Sequence, residues 1–369
     1  MPKRIRPARH YQRKDDVVRR IATAGKPLVA KDMQEAFKSL RALIPANLAE
    51  LIRDGRLNAI HDAINWNHYR EVLKKPFGRI GKVYEAAALT GARKINGAFA
   101  RARKPVRYRK EDTMAEMFDK AAGDTFSFDM YDAATQQRLR VAQDALIQQL
   151  SSDARDTVEQ IILMGAQEGL GAADIVDNIY AVIGLTDTQA QAVMNYQQML
   201  SDLDPGALAR QLRNATMDQT VQDAIDSGEM LPQDIIDQLT SDYADNYLAY
   251  RAATIAQTES VRSANWGLHD AYSQAIDRGA MPAEAVKREW QLGDSPCPIC
   301  ESIPDNNPNG VGVDEQFDSD EGPVDDPPVH PNCMCSVDYV TDISMLPDDD
   351  SSANDWGNVD TASNIEEFQ

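Results

Sequence analysis

The chain has 369 residues, 43% of them hydrophobic, and a formal net charge of −20. That length can bury a real core and hold two or three domains. No apolar run reaches the roughly 18 residues of a membrane span, and the opening Met1-Pro2-Lys3-Arg4-Ile5-Arg6 has no apolar stretch behind it. Neither a membrane segment nor a secretory signal is expected, so the cysteines should be reduced where the chain is made.

The net charge hides a split. Residues 1–110 carry 27 Lys and Arg against 9 Asp and Glu, whereas residues 111–369 carry 11 against 49. After Arg288 there is no Lys or Arg, against 20 acidic residues. A cationic head on an acidic body implies a polyanion partner for the head, or docking on an acidic protein. It also fits a head that rests on the chain's own acidic body.

Residues 1–26 read as a basic flexible arm closing at Gly25-Lys26, with Lys3, Arg4, Arg6, Arg9, Arg13 and Lys14 as candidate phosphate contacts. Tyr11 is its one aromatic, so base stacking is not expected. Residues 27–112 form a basic helical region. Phe37, Leu40, Leu43, Leu48 and Leu51 recur at helical spacing, with Pro45 as a break. A second helix is expected over 57–73, punctuation at Pro76-Phe77-Gly78, and a third helix over 79–102 that reads as ordinary Ala-rich helix. The basic run that follows holds six further candidate contacts, Arg101, Arg103, Lys104, Arg107, Arg109 and Lys110, and a boundary is placed nearby.

Residues 113–280 read as a helical body. Helices are expected over 131–151 and 153–165, with a stop at Gly169-Leu170-Gly171. A short helix over 172–183 follows, then one opened by the capping box Thr186-Asp187-Thr188-Gln189 and running to Leu203. Another is expected over 207–227. The longest pattern runs from Ile235 to Ile276 as one helix, or two joined near Arg251, ending at Arg278-Gly279. Within it Glu259 and Arg262, three apart, can pair, for a few tenths of a kcal/mol if exposed. His61, His68 and His269 fall on helical patterns and read as surface or packing residues.

After Met281-Pro282 the texture changes. Short strands are expected at 289–292, 316–317 and 336–340, in a module over 281–342 that precedes an acidic, disordered tail over 343–369. This module holds every cysteine of the chain, within 39 positions: Cys297-Pro298-Ile299-Cys300, then His330-Pro331-Asn332-Cys333-Met334-Cys335. Two cysteines three apart can face one ion, and His330 and Cys333 repeat that spacing. Five soft ligands, Cys297, Cys300, His330, Cys333 and Cys335, thus meet an ion that takes four, and Zn2+ suits thiolate plus imidazole. Which four bind is open. A closed zinc site would contribute on the order of 10 kcal/mol to folding a module this small. A redox pair would leave His330 and the C-x-C unexplained. Asp305-x-Asn307-x-Asn309-Gly310 opens like a calcium loop, but Gln316 stands at the twelfth position, so it reads as a turn. The fold class is mainly α, a multi-helix body with a small, loop-rich zinc-binding C-terminal module of short β-strands.

Two stretches in this order carry a resemblance: Ile255-Ala256-Gln257-Thr258-Glu259 with Arg262, Ala264 and Asn265, and Trp290 ahead of Gly293-Asp294-Ser295-Pro296-Cys297-Pro298-Ile299-Cys300 and Pro327-Pro328-Val329-His330-Pro331-Asn332-Cys333-Met334-Cys335. The chain resembles the phage Mu F-like minor head proteins, also called head morphogenesis proteins, over 251–340 and more loosely from 130. Gln257 and Met334 stand where that family has Arg, and the acidic insert 304–326 is longer. The resemblance implies a virion component that acts with the portal protein and other capsid proteins in head assembly, and in DNA packaging or delivery. It implies a place in the capsid interior or at the portal vertex after assembly in the host cytoplasm. Thr258, Glu259, Arg262 and Trp290 then carry structural roles. Double-stranded DNA is the polyanion expected for the cationic head. A zinc-containing nucleic-acid-binding protein of the host cell is the alternative. An enzyme is not expected, since no nucleophile and base stand together in the pattern.

Overall fold

The computed structural model describes residues 16–102 and 125–346. Helix α1, Val17–Ser39, begins where the Asp16 carboxylate accepts the Arg19 N–H at 2.9 Å. This corrects the expected arm: residues 17–26 are helical, and only residues 1–15 of it lie outside the described residues. The buried stripe explains why. Val18 and Ala22 continue into Val29, Met33 and Phe37, while Pro27 sits on the solvent side, where its ring disturbs no packing. Short helices α2, Leu48–Arg53, and α3, Leu57–Ala63, follow.

Helix α4, Trp66–Ala102, runs straight through the expected stop at Pro76. Pro76 is itself buried, in line with Leu73, Ile80, Val83 and Tyr84. Burial of that continuous face outweighs the one backbone hydrogen bond a proline removes. Helix α5, Ala133–Glu168, likewise fuses the two helices expected over 131–165, because Leu150, Ser151, Ala154 and Val158 keep one face buried across the expected gap. Its stop at Gly169, φ 71°, is as expected.

Helices α6, Ala172–Val182, and α7, Asp187–Ser201, follow. The capping box is reciprocal: the Gln189 N–H donates to Thr186 Oγ1 at 3.4 Å and the Thr186 N–H to Gln189 Oε1 at 3.2 Å. The single helix expected over 207–227 is replaced by two 3₁₀ turns and a short helix α8, Asp218–Ser227. The Asn214 side chain accepts the Thr216 N–H, and Arg213 forms a two-pronged pair with Asp218, which together fix the turn.

Helix α9, Gln233–Asp277, is one helix of 45 residues with no joint at Arg251. Its first half, Ile236 to Ala252, lies in a core with α2, α6, α7 and parts of α1, α4 and α5. Its second half, Val261 to Ala275, lies in another core with the rest of α4 and the C-terminal module. The small residues of α4 are not ordinary helix filler but a close-approach surface. A Cβ on Gly91 would stand 2.7 Å from Ala271 Cβ, and one on Gly267 only 2.3 Å from the Tyr84 carbonyl oxygen. Among the described residues, α1 and α4 pack directly on α9.

In the module, β1, Val286–Gln291, pairs antiparallel with β4, Ser336–Thr341, with Gln291 opposite Ser336. Between them come helix α10, Pro298–Asn306, absent from the sequence expectation, and the hairpin β2, Phe317–Ser319, with β3, Gly322–Val324. The Asn307 side chain donates to Ile303 and Asp318 carbonyls, so the calcium-like stretch is spent on holding β2. The tail expected over 343–369 is corrected at its start: Ile343–Met345 form a 3₁₀ turn and Leu346 is buried against the module's core. The rest of it, from 347, and residues 103–124 lie outside the described residues.

The module's buried centre of charge is Arg288, 3% exposed. It pairs with Asp326 at 2.8 Å, donates to the Gly312 and Glu315 carbonyls, and lies 4.9 Å over the Phe317 ring. The last cation of the chain thus organises the acidic insert around itself.

Candidate metal centre

The first half of the cluster is built by α10. Cys297 stands at its N-cap, where its Sγ accepts the Cys300 N–H at 3.4 Å, and Pro298 takes the first position, which needs no N–H. Cys300, one turn in, is fully buried. The second half is the segment before β4. Asn332 adopts a left-handed φ of 62°, and the Cys333 N–H donates to the His330 carbonyl at 3.2 Å, turning the chain back. Cys335 enters β4 with its Sγ accepting the Gly293 N–H at 3.5 Å. Glycine is needed there, because a Cβ would stand 2.8 Å from Met334.

All five expected ligands come together. Cys300 Sγ lies 3.8 Å from Cys333 Sγ and 3.8 Å from His330 Nε2. Ligand atoms within 4.8 Å of one another form two triads, Cys297–Cys300–His330 and Cys300–Cys333–Cys335. Cys300 is common to both. A tetrahedral ion with sulfur at about 2.3 Å sets ligand sulfurs about 3.8 Å apart, the spacing found here. His330 Nδ1 lies 2.8 Å from the Pro331 carbonyl oxygen, which can only accept. Nδ1 therefore carries the proton, and the Nε2 lone pair faces Cys300. Hydrogen bonds from Cys300 first, then Cys335, hold the Cys333 thiol well below its ordinary range, while the same contact with Cys333 pushes Cys300 up. The cluster favours a thiolate at Cys333, the form a metal needs. Cys300, Cys333 and Cys335 are buried, and none of the four cysteines is in a disulfide. This donor set can hold a metal ion.

The other expected site residues are structural or unplaced. Glu259 pairs with Arg262 at 2.6 Å, but Glu259 is buried, unlike the exposed pair the sequence reading allowed; burial raises its carboxyl and the arginine opposes that. Trp290 is a buried β1 residue, edge-on to Phe317 at 5.2 Å. Thr258 faces the ligand segment. His269 is half-buried, with Nδ1 3.0 Å from Tyr339 Oη and Arg138, Arg288 and Asp326 around it, so it is a packing residue with a partner. Of the cationic contacts, Arg101 is exposed at the end of α4. Lys3, Arg4, Arg6, Arg9, Arg13, Lys14, Arg103, Lys104, Arg107, Arg109 and Lys110 lie outside the described residues.

Part of the cationic head does rest on the acidic body. Arg19 pairs with Asp294, Lys38 and Arg41 with Asp245, and Lys94 with Asp338. Arg70, Lys82, Arg93 and Arg101 are exposed on α4 with no ion partner among the described residues. No helix among the described residues is long and apolar enough to cross a membrane. The residues that sequence reasoning missed are Asn265, Gly293 and Asn332, which hold ligands without binding anything; only their place inside the quoted motifs signalled them. Comparison of the chain with family models, with curated proteins and with solved structures gives no match.

Proposed function

We propose that this chain is a minor head protein of a tailed phage, acting with the portal protein in head assembly and in DNA packaging or delivery, and that its Cys/His centre is a structural zinc site. The observation that carries the reading is the ordered pair of motifs: the Thr258–Asn265 stretch of α9 lies against the Cys/His segment that follows it in the chain. Five sulfur and nitrogen donors for four positions leave no place for a reacting water, so the ion ties the module together. Zinc fits a soft donor set in a chain with reduced cysteines better than harder ions do. The exposed cations of α4, against an acidic remainder, suit a duplex DNA contact.

Co-purification of the chain with the portal protein encoded beside it tests the assembly role; no association in any assembly state would count against it. Elemental analysis should find one zinc per chain. DNA binding should weaken steeply with salt, and fall when residues 1–15 are deleted or when Lys82, Arg93 and Arg101 are replaced by Ala. Binding untouched by these changes would place the DNA contact elsewhere.

A further inference from the structure

Thr258 and Asn265 lie seven residues, two helical turns, apart on one face of α9. Both are buried polar side chains, and both reach the segment that carries His330, Cys333 and Cys335. The Thr258 hydroxyl donates to the Thr254 carbonyl at 2.8 Å, which leaves its lone pairs to accept the Asn332 N–H at 3.1 Å. The Asn332 side chain adds a bond to Thr254 Oγ1 at 3.3 Å. One stretch on, Asn265 Oδ1 accepts the Val337 N–H at 2.9 Å, and its Nδ2 donates to the Pro327 carbonyl at 3.3 Å. The ligand segment is therefore tied to α9 at its start, its middle and its end.

The middle tie has the most leverage. Asn332 sits between His330 and Cys333 in a left-handed conformation, which a non-glycine residue keeps only when its surroundings hold it. Release of its N–H would free the turn that aims His330 Nε2 and Cys333 Sγ at Cys300.

We infer that Thr258 and Asn265 are positioning residues of the metal centre, through which α9 presets the ligand segment before the ion arrives. This rests on the metal-site reading above. It gives the buried polar stretch of α9 a task that a purely apolar helix could not perform. Groups that orient metal ligands without touching the metal are typically worth about 10- to 100-fold in affinity.

The test is competition for zinc between the full chain and a chromophoric chelator. Thr258→Val and Thr258→Ala should each bind zinc about 10- to 100-fold more weakly than wild type, and Thr258→Ser should restore the affinity to within about threefold. A residue that only supports the fold would instead lower the thermal midpoint of the metal-free protein and leave zinc affinity unchanged, which would overturn the inference. A loss in Thr258→Val alone would trace to its extra methyl group and also overturn it. Wild-type protein that takes up no zinc would remove the metal-site reading itself, an outcome visible before any variant is made.

Discussion

The two halves of α9 sit in differently built surroundings. Around Ile236 to Ala252 the contacts are broad and apolar, with Tyr243 packed between Tyr196 and Tyr247 at 4.3 and 5.0 Å. Around Thr258 to Tyr272 the partners include buried carboxylates, an arginine, a histidine and thiols. A many-helix core holds itself by burying surface. The module of short strands and one short helix has little apolar area of its own, so it depends on ties of high local energy: a buried ion pair, a polar ladder to α9, and a Cys/His cluster that can hold a metal ion.

Metal removal should break this contrast most visibly. Chelation of the proposed zinc, or Cys300→Ser, should cost on the order of 10 kcal/mol locally. Amide exchange in β1 and β4 should then approach that of unfolded chain, while α7 and the first half of α9 stay protected. Equal loss of protection in both regions would show that the two cores do not differ in this way.

Next in size is Arg288→Met, which strands Asp326 in the interior and should cost about 3–5 kcal/mol. Arg251 is the matching case in the body, buried between Asp153, the Gly184 carbonyl and the Phe37 ring. Arg251→Met should cost a similar amount but expose a different set of amides. Urea unfolding followed by hydrogen exchange would separate the two.

Acid should also strike the module side first. Burial, then the charges of Arg138 and Arg288, push His269 down to about 3, against a partial pull from Asp325. Below about pH 6.5 the unfolded chain takes up a proton that the folded chain refuses, so this part of the stability is complete above that pH and is lost as pH falls toward 3. The loss should reach about 2 kcal/mol by pH 5. His269→Asn should flatten the stability curve between pH 7 and 5; an unchanged slope would exclude His269 as its source.

Smaller effects belong to the helical frame. Gly267→Ala drives a methyl group into the Tyr84 backbone and should cost about 1–3 kcal/mol. Thr186→Ala removes the cap of α7 and should cost about 1 kcal/mol, seen as a modest drop in thermal midpoint.

Local chemistry was legible in the residues alone. The Thr186–Gln189 box, the Gly169 stop, the strands around Trp290 and Val337 and the clustered cysteines are all set by neighbours a few positions apart. The ends of segments were less so. Pro76 reads as a breaker because a proline removes a hydrogen bond locally, and it sits mid-helix because distant side chains bury the whole face it lies on. The same reason fuses α5 across residue 152 and carries α1 back to Val17.

What the sequence by itself determined was a helical protein with a cationic head and one Cys/His module, since periodicity, charge and ligand spacing are properties of the chain. Only the tertiary structure decided that the described part of the head joins the body's core, that Arg288 is buried, and that Cys300 is the corner shared by both triads. Those outcomes depend on which surfaces α9 brings together across hundreds of residues, and pairing at that distance leaves no period or spacing to read.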